Sequence, residues 1–142
     1  MADEENGVSL APLYEHIVID TPAKPSFEDL KSIARGCDLV VIPTTPDAIA
    51  LAATMQMVEL LHRFKANYRI LLTIIPPKPN RSGAEAKLAF KNAKIPIFKT
   101  GIKRLAVFQK AALEGVPVNA VNDVYAQVAW KYYAEVGKEI LP

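Results

Sequence analysis

The stretch Tyr14-Glu15-His16-Ile17-Val18-Ile19-Asp20-Thr21-Pro22 limits the options of this chain more than any other. Three β-prone apolar residues run unbroken into an acid, a hydroxyl and a proline. An apolar run without polar alternation predicts a strand covered on both faces, as in a parallel sheet. The strand is expected over Glu15 to Asp20, which puts Asp20 at its carboxyl end, where open α/β sheets hold ligands. Two readings of Asp20 stand side by side. Asp-Thr-Pro is an ordinary turn that stops a strand. A carboxylate next to a hydroxyl also suits a magnesium ion held through water beside a phosphate.

The rest of the chain alternates strand and helix signals. Thr21 to Pro25 is a loop stiffened by two prolines. Ser26 with Asp29 three residues on predicts a capped short helix that stops at Gly36. Asp38 to Thr44 is a second apolar strand. Pro46 and Asp47 open a long helix to about Lys65, with Ile49, Leu51, Ala52, Met55, Val58, Leu61 and Phe64 at helical spacing. Arg69 to Ile75 is a third strand, followed by the irregular Pro76-Pro77-Lys78-Pro79-Asn80-Arg81. A helix over Gly83 to Asn92 comes next, then a short edge strand at Ile95-Pro96-Ile97-Phe98. Lys103 to Leu113 is a helix stopped by Gly115. A last helix begins near Asn122 or Asp123 and runs to about Leu141, with Val124, Val128, Tyr132, Val136 and Ile140 as its stripe. This order predicts a mostly parallel sheet flanked by helices on both faces. Residues 1–13 are expected to be a flexible lead-in and residues 14–142 a single α/β domain.

Composition narrows the function classes. No apolar span approaches the length of a membrane helix, so no membrane span is expected. The acidic start, Asp3-Glu4-Glu5, is unlike a signal peptide. The single cysteine, Cys37, fits a reducing cytoplasm and reads as a small buried apolar residue. The net charge of +2 hides a division. Residues 1–64 hold four basic and ten acidic residues, and residues 65–142 hold thirteen and five. From Lys78 to Lys110 there are nine basic residues and one acid, Glu85. Such a segment favours a polyanion, nucleic acid foremost, although lysines also solvate helix faces. His62 has no partner at metal spacing and reads as a surface or satisfied core residue.

From Tyr14 to Pro46 the chain resembles the Walker B region of the ParA/MinD family of partition ATPases. The matching pieces are Ile17 to Pro22, then Asp38-Leu39-Val40-Val41-Ile42-Pro43-Thr44-Thr45-Pro46. Ala111-Ala112-Leu113-Glu114-Gly115-Val116-Pro117-Val118 looks like the C-terminal signature of that family. The resemblance implies a partial P-loop NTPase fold of the deviant Walker type. It implies ATP and magnesium as cofactors, with Asp20 as the ligand to the magnesium-bound water, Asp20 and Thr21 as catalytic switch residues and Pro22 shaping the loop. It brings Pro76, Pro77 and Asn80 towards the adenine, where a proline-stiffened connector is the plainer reading. Lys24 falls in the switch loop, as a phosphate contact or a solvent-facing lysine. Nonspecific DNA contacts would fall on Lys99, Lys103, Arg104 and Lys110, the last three on one helix. The implied partners are DNA, a second copy or a complementing ATPase chain, and a ParB-like or cargo adaptor protein. The implied location is the cytoplasm, at the nucleoid when DNA is bound.

One departure is plain. The family needs a glycine-rich loop with a lysine to cradle phosphates. Gly7, Gly36, Gly83, Gly101, Gly115 and Gly137 are each isolated, and no Gly-Lys-Ser or Gly-Lys-Thr occurs. In the family, the phosphate-loop strand lies between the strands matched by Ile17–Asp20 and Leu39–Pro43. The chain is therefore expected to be the C-terminal part of a ParA-like ATPase domain, to be completed by a second polypeptide, or to be a reduced relative. It is expected to be ATPase-incompetent alone. The alternative is a non-catalytic module that binds DNA or pairs with a complete ATPase.

Overall fold

The computed structural model describes residues 14–22 and 25–141. The expected lead-in over residues 1–13 and Lys24 in the switch loop lie outside the described residues. The elements are α1 (Phe27–Gly36), β1 (Val40–Thr44), α2 (Ala48–Arg63), β2 (Tyr68–Leu72), α3 (Ser82–Asn92), α4 (Ala106–Glu114) and α5 (Ala126–Ile140), with one turn of tighter helix at Val118–Ala120 before α5. The fold is α/β, as the strand and helix signals predict.

β1 and β2 pair in parallel, Val40 opposite Tyr68 through to Thr44 opposite Leu72. β2 has a second neighbour in the expected strand at residues 95–98, which forms only a single bridge, Ile97 beside Ile70. The Ile70 amide donates to the Pro96 carbonyl and the Phe98 amide to the Ile70 carbonyl, each at 2.9 Å. Pro96 has no amide of its own to extend the ladder. The backbone then closes on the chain beyond β2. The Ile102 amide reaches the Leu72 carbonyl at 2.9 Å, and the Arg104 amide reaches the Ile75 carbonyl at 2.9 Å.

The sides of β2 explain the layers. Ile70 and Leu72 point into a core made with Leu30, Val58, Leu61, Ala86 and Phe90, which belong to α1, α2 and α3. Leu71 points the other way, onto Phe98, Ile102 and Val136 of α5. Successive strand residues face opposite sides, so helices cover both faces. α4, the Val118–Ala120 turn and α5 build an adjoining core around Val107, Val118, Val121 and Ala129.

Local chemistry sets the element ends. The Ser26 hydroxyl accepts from the Asp29 amide at 3.1 Å while the Asp29 carboxylate accepts from Ser26, a complete capping box. Asp47 caps α2 by accepting from the Ala50 amide at 2.9 Å. Gly115 ends α4 in the left-handed region, φ 65°.

Five expectations differ from the structure. Residues 15–20 form no strand, and Ile17, Val18 and Ile19 are exposed. A strand needs a hydrogen-bonded neighbour, and no backbone bond ties these residues to the other described ones. Lys103 and Arg104 precede α4, because their backbone is drawn out alongside Ile75. On α2 the core-facing line is Thr54, Val58 and Leu61. Ile49 is five residues from Thr54, about 140° round the helix, and faces solvent. On α5 the buried residues are Ala126, Ala129 and Val136, while Val128 and Ile140 are exposed, as is Val124 just before the helix. Cys37, expected buried, is half-exposed at the end of α1.

β1 has an outer edge with no strand beside it among the described residues. The Val40 amide and the Thr44 carbonyl bond towards β2, at 2.9 and 2.8 Å. The alternate residues Val41 and Pro43 therefore turn their backbone groups outward. Proline, which has no donor to lose, suits that edge.

Candidate functional site

The carboxyl ends of β1 and β2 are the place where a parallel sheet offers backbone and side-chain groups to a ligand. The β1 end is a set of hydroxyls. The buried Thr54 hydroxyl lies 2.8 Å from both the Thr44 hydroxyl and the Ala50 carbonyl. The Thr73 amide donates to the Thr44 carbonyl at 2.8 Å, with the Thr73 hydroxyl at 3.3 Å from the same oxygen. Thr45 donates to the Asp47 carboxylate. That hydroxyl, followed by the Ala50 amide, holds the Asp47 carboxyl below its ordinary range. These groups satisfy one another, so they fasten β1 to α2 and β2.

The β2 end leads to the residues expected near an adenine. Ile74 takes a left-handed backbone, φ 51°, which is unusual for a β-branched residue. Pro76 is half-buried, and Pro77 and Asn80 are exposed. The Asn80 side-chain oxygen accepts from the Ser82 amide at 2.9 Å and so opens α3. The Asn80 amide donates to the Pro77 carbonyl at 3.2 Å. Asn80 is thus a turn-former whose side-chain nitrogen has no hydrogen bond among the described residues.

Beside this loop is an open apolar groove of about 170 Å³, lined by Leu72, Ile75, Gly83, Ala84, Lys87, Phe98, Thr100 and Gly101. Its two glycines are required by Ile75. A Cβ at either Gly83 or Gly101 would come to 2.5 Å from an Ile75 side-chain carbon. Lys87 donates across the rim to the Lys99 carbonyl.

Asp20, Thr21 and Pro22 are exposed, and Asp20 has no hydrogen-bond or salt partner among the described residues. The donor set, one carboxylate and one hydroxyl side by side, fits a magnesium ion that keeps most of its water. The phosphate side does not fit. Among the described residues no glycine-rich loop precedes a helix, and no cluster of three acidic, histidine or cysteine side chains could hold a metal directly.

The structure separates the four expected DNA residues. Lys99, Lys103 and Arg104 are exposed on the segment leading into α4. Lys110 is on α4 and half-buried. Its ammonium donates to the Asn122 carbonyl at 2.8 Å and lies 4.0 Å from the Asp123 carboxylate. It ties α4 to the turn before α5. Two residues at this segment were not legible in advance. One is Lys87, whose role depends on where Lys99 ends up. The other is Glu139, whose carboxylate accepts from the Lys99 and Thr100 amides at 2.8 Å each. Burial raises the Glu139 pKa, but those two amides and the charge of Arg69 outweigh it, and the net shift is downward. Arg69 also donates to the Glu139 carbonyl at 3.1 Å and lies 4.8 Å over the Phe98 ring.

Comparison with known proteins gives three relatives. The chain is 28% identical over 131 residues to the maintenance of carboxysome distribution protein A of Gloeobacter kilaueensis, covering 89% of this chain and 59% of that protein. It is 24% identical to the protein of the same name in Halothiobacillus neapolitanus, over 75% of this chain and 51% of the relative. A ParA family protein of Mycoplasma genitalium is 30% identical over 93% of this chain and 52% of its own length. The chain thus spans about half the length of the relatives it matches. No protein-family model matches it. No helix among the described residues is long and apolar enough to cross a membrane.

Proposed function

Because the chain belongs to a ParA-type family, we propose that it is the C-terminal portion of a partition or positioning ATPase, one that distributes a cargo such as a plasmid, a chromosome or a carboxysome-like compartment. The observation that carries this reading is the 24–30% identity to relatives of that kind over most of the chain. Exposed Asp20 and Thr21, ahead of a parallel sheet, are consistent with it.

With ATP and magnesium bound in the whole assembly, Asp20 would hold a magnesium-bound water, Thr21 and Pro22 would form the switch loop, and Pro76, Pro77 and Asn80 would lie towards the base. The phosphate cradle comes from outside the described residues, so this chain alone does not hydrolyse ATP. Lys99, Lys103 and Arg104 hold the DNA backbone without reading sequence, and Lys110 serves mainly to fasten α4. The protein works in the cytoplasm, on the nucleoid when DNA-bound, with a ParB-like or cargo adaptor as its partner.

The cellular test is cargo imaging. Evenly spaced cargo in wild-type cells and clustered cargo with Asp20→Ala supports the reading; unchanged spacing overturns it. In solution, the isolated chain should show no magnesium-dependent ATP turnover and a duplex-DNA affinity that falls as salt rises. DNA binding that survives Lys103→Glu with Arg104→Glu removes the DNA part.

A second reading is favoured by the outer edge of β1. The chain is then a non-catalytic module that pairs with a complete ATPase, and adding it to such an ATPase changes the rate of hydrolysis.

A further inference from the structure

Lys87 and Lys99 lie twelve residues apart in sequence and on different elements, yet the Lys87 ammonium donates to the Lys99 carbonyl. That contact joins α3 to the segment carrying Lys99, Lys103 and Arg104. Lys91 is one turn further along α3, on the same flank as Lys87, about 6 Å along the axis. From Lys99 to Lys103 the chain reaches at most about 14 Å. Phosphates along one DNA strand are spaced about 3.4 Å along the axis, so this stretch matches about four of them.

We propose that Lys87 and Lys91 of α3 form, with Lys99, Lys103 and Arg104, one two-element surface for the phosphate backbone of duplex DNA. This inference rests on the DNA-binding reading above and extends its footprint onto α3. Three observations carry it. None of the five cations is in a salt bridge among the described residues, whose ion pairs are Lys110 with Asp123 and Lys138 with Glu135. The nearby acid, Glu139, is already engaged by two backbone amides and by Arg69. The segment is held by the Ile102 and Arg104 amides on the β2 side of the sheet, so the backbone that carries its cations is in place before DNA arrives. A Lys87 ammonium bound to one carbonyl keeps two further donors for phosphate, and its ordering does not fall to the binding step.

The test is the salt dependence of binding to a random-sequence duplex, measured by fluorescence anisotropy on the whole chain. Lys87→Gln and Lys91→Gln should each flatten the log–log slope by about 0.9, as one lost phosphate contact does. Over a fourfold change in salt, that is about a threefold smaller change in affinity per lysine. Lys31→Gln on α1 is the control and keeps the wild-type slope. Lys91→Gln carries the test should Lys87→Gln disturb the loop, which circular dichroism and the unfolding midpoint reveal. Wild-type slopes in both α3 variants, with a flattened slope in Lys103→Gln, overturn this inference and leave the DNA-binding reading standing. Equal flattening by Lys31→Gln overturns it as well, in favour of diffuse charge. No salt-sensitive binding by the wild-type chain, or binding to poly-glutamate but not to duplex, sinks both readings.

Discussion

Ile17-Val18-Ile19 and Ile70-Leu71-Leu72 are alike as sequence, each an unbroken run of three bulky aliphatic residues. The first is 55, 95 and 62% exposed, and the second 0, 7 and 3%. Backbone pairing separates them. Ile70-Leu71-Leu72 has β1 on one side and the 96–102 backbone on the other, so helices can close over both of its faces. The first run has no such neighbour among the described residues. An apolar run therefore states what a segment can bear, and its neighbours decide whether it becomes a strand.

The contrast can be tested by substitution, and the largest effect belongs to the paired triplet. Ile70→Ala should cost about 2–5 kcal/mol in urea unfolding, as for other fully buried aliphatic deletions. A loss below about 1 kcal/mol would mean that this side of the sheet is not the core. Next is Gly83→Ala, where the added methyl would sit against Ile75; overpacking of this kind costs about 1–3 kcal/mol, against the gain in helix propensity. A stabilised variant would show that the Ile75 clasp is loose.

Glu139→Gln should cost about 1 kcal/mol at neutral pH, the low end for a charged acceptor, because solvent reaches the carboxylate. The folded pKa is depressed below the ordinary 4.5. The carboxylate's contribution is therefore fully present above that value and is lost as pH falls through the lower folded value. Wild type and Glu139→Gln should converge in urea midpoint below that range; a constant gap from pH 7 to pH 3 refutes the latch. Ser26→Ala breaks the capping box of α1 and should cost about 1 kcal/mol. The smallest effect belongs to the unpaired triplet, since Val18→Ala should stay within about 0.5 kcal/mol. A loss above about 1 kcal/mol there would collapse the contrast between the two runs.

Much of the architecture was legible because it is written locally. Ser26 with Asp29, Asp47 and Gly115 act within one turn of themselves, and they set helix ends close to where the structure has them. The parallel character of β1 and β2 was legible too, since Val40 to Ile42 and Ile70 to Leu72 lack polar alternation. What could not be read depends on distant partners. Lys103 and Arg104 have good helix propensity, but Ile75, nearly thirty residues earlier, draws their backbone out straight. Ala126 and Ala129 are buried on α5 because small side chains allow close approach to Val118 and Val121. Of the candidate site, Asp20 and Thr21 were singled out by a three-residue motif, and the structure leaves both exposed like the rest of residues 14–22. Lys87 and Glu139 were not, because each takes its meaning from the Lys99 and Thr100 backbone.

Pro43 has a further consequence. Laid along the outside of β1, a guest chain meets one rung that offers an oxygen and no hydrogen. Two copies approaching edge to edge gain too little there to stack into fibres. A guest whose own hydrogen-bonding groups skip that rung loses nothing, and it still finds the Val41 amide. The proline thus leaves the outer edge of β1 one donor short among the described residues, which weakens indiscriminate pairing along it.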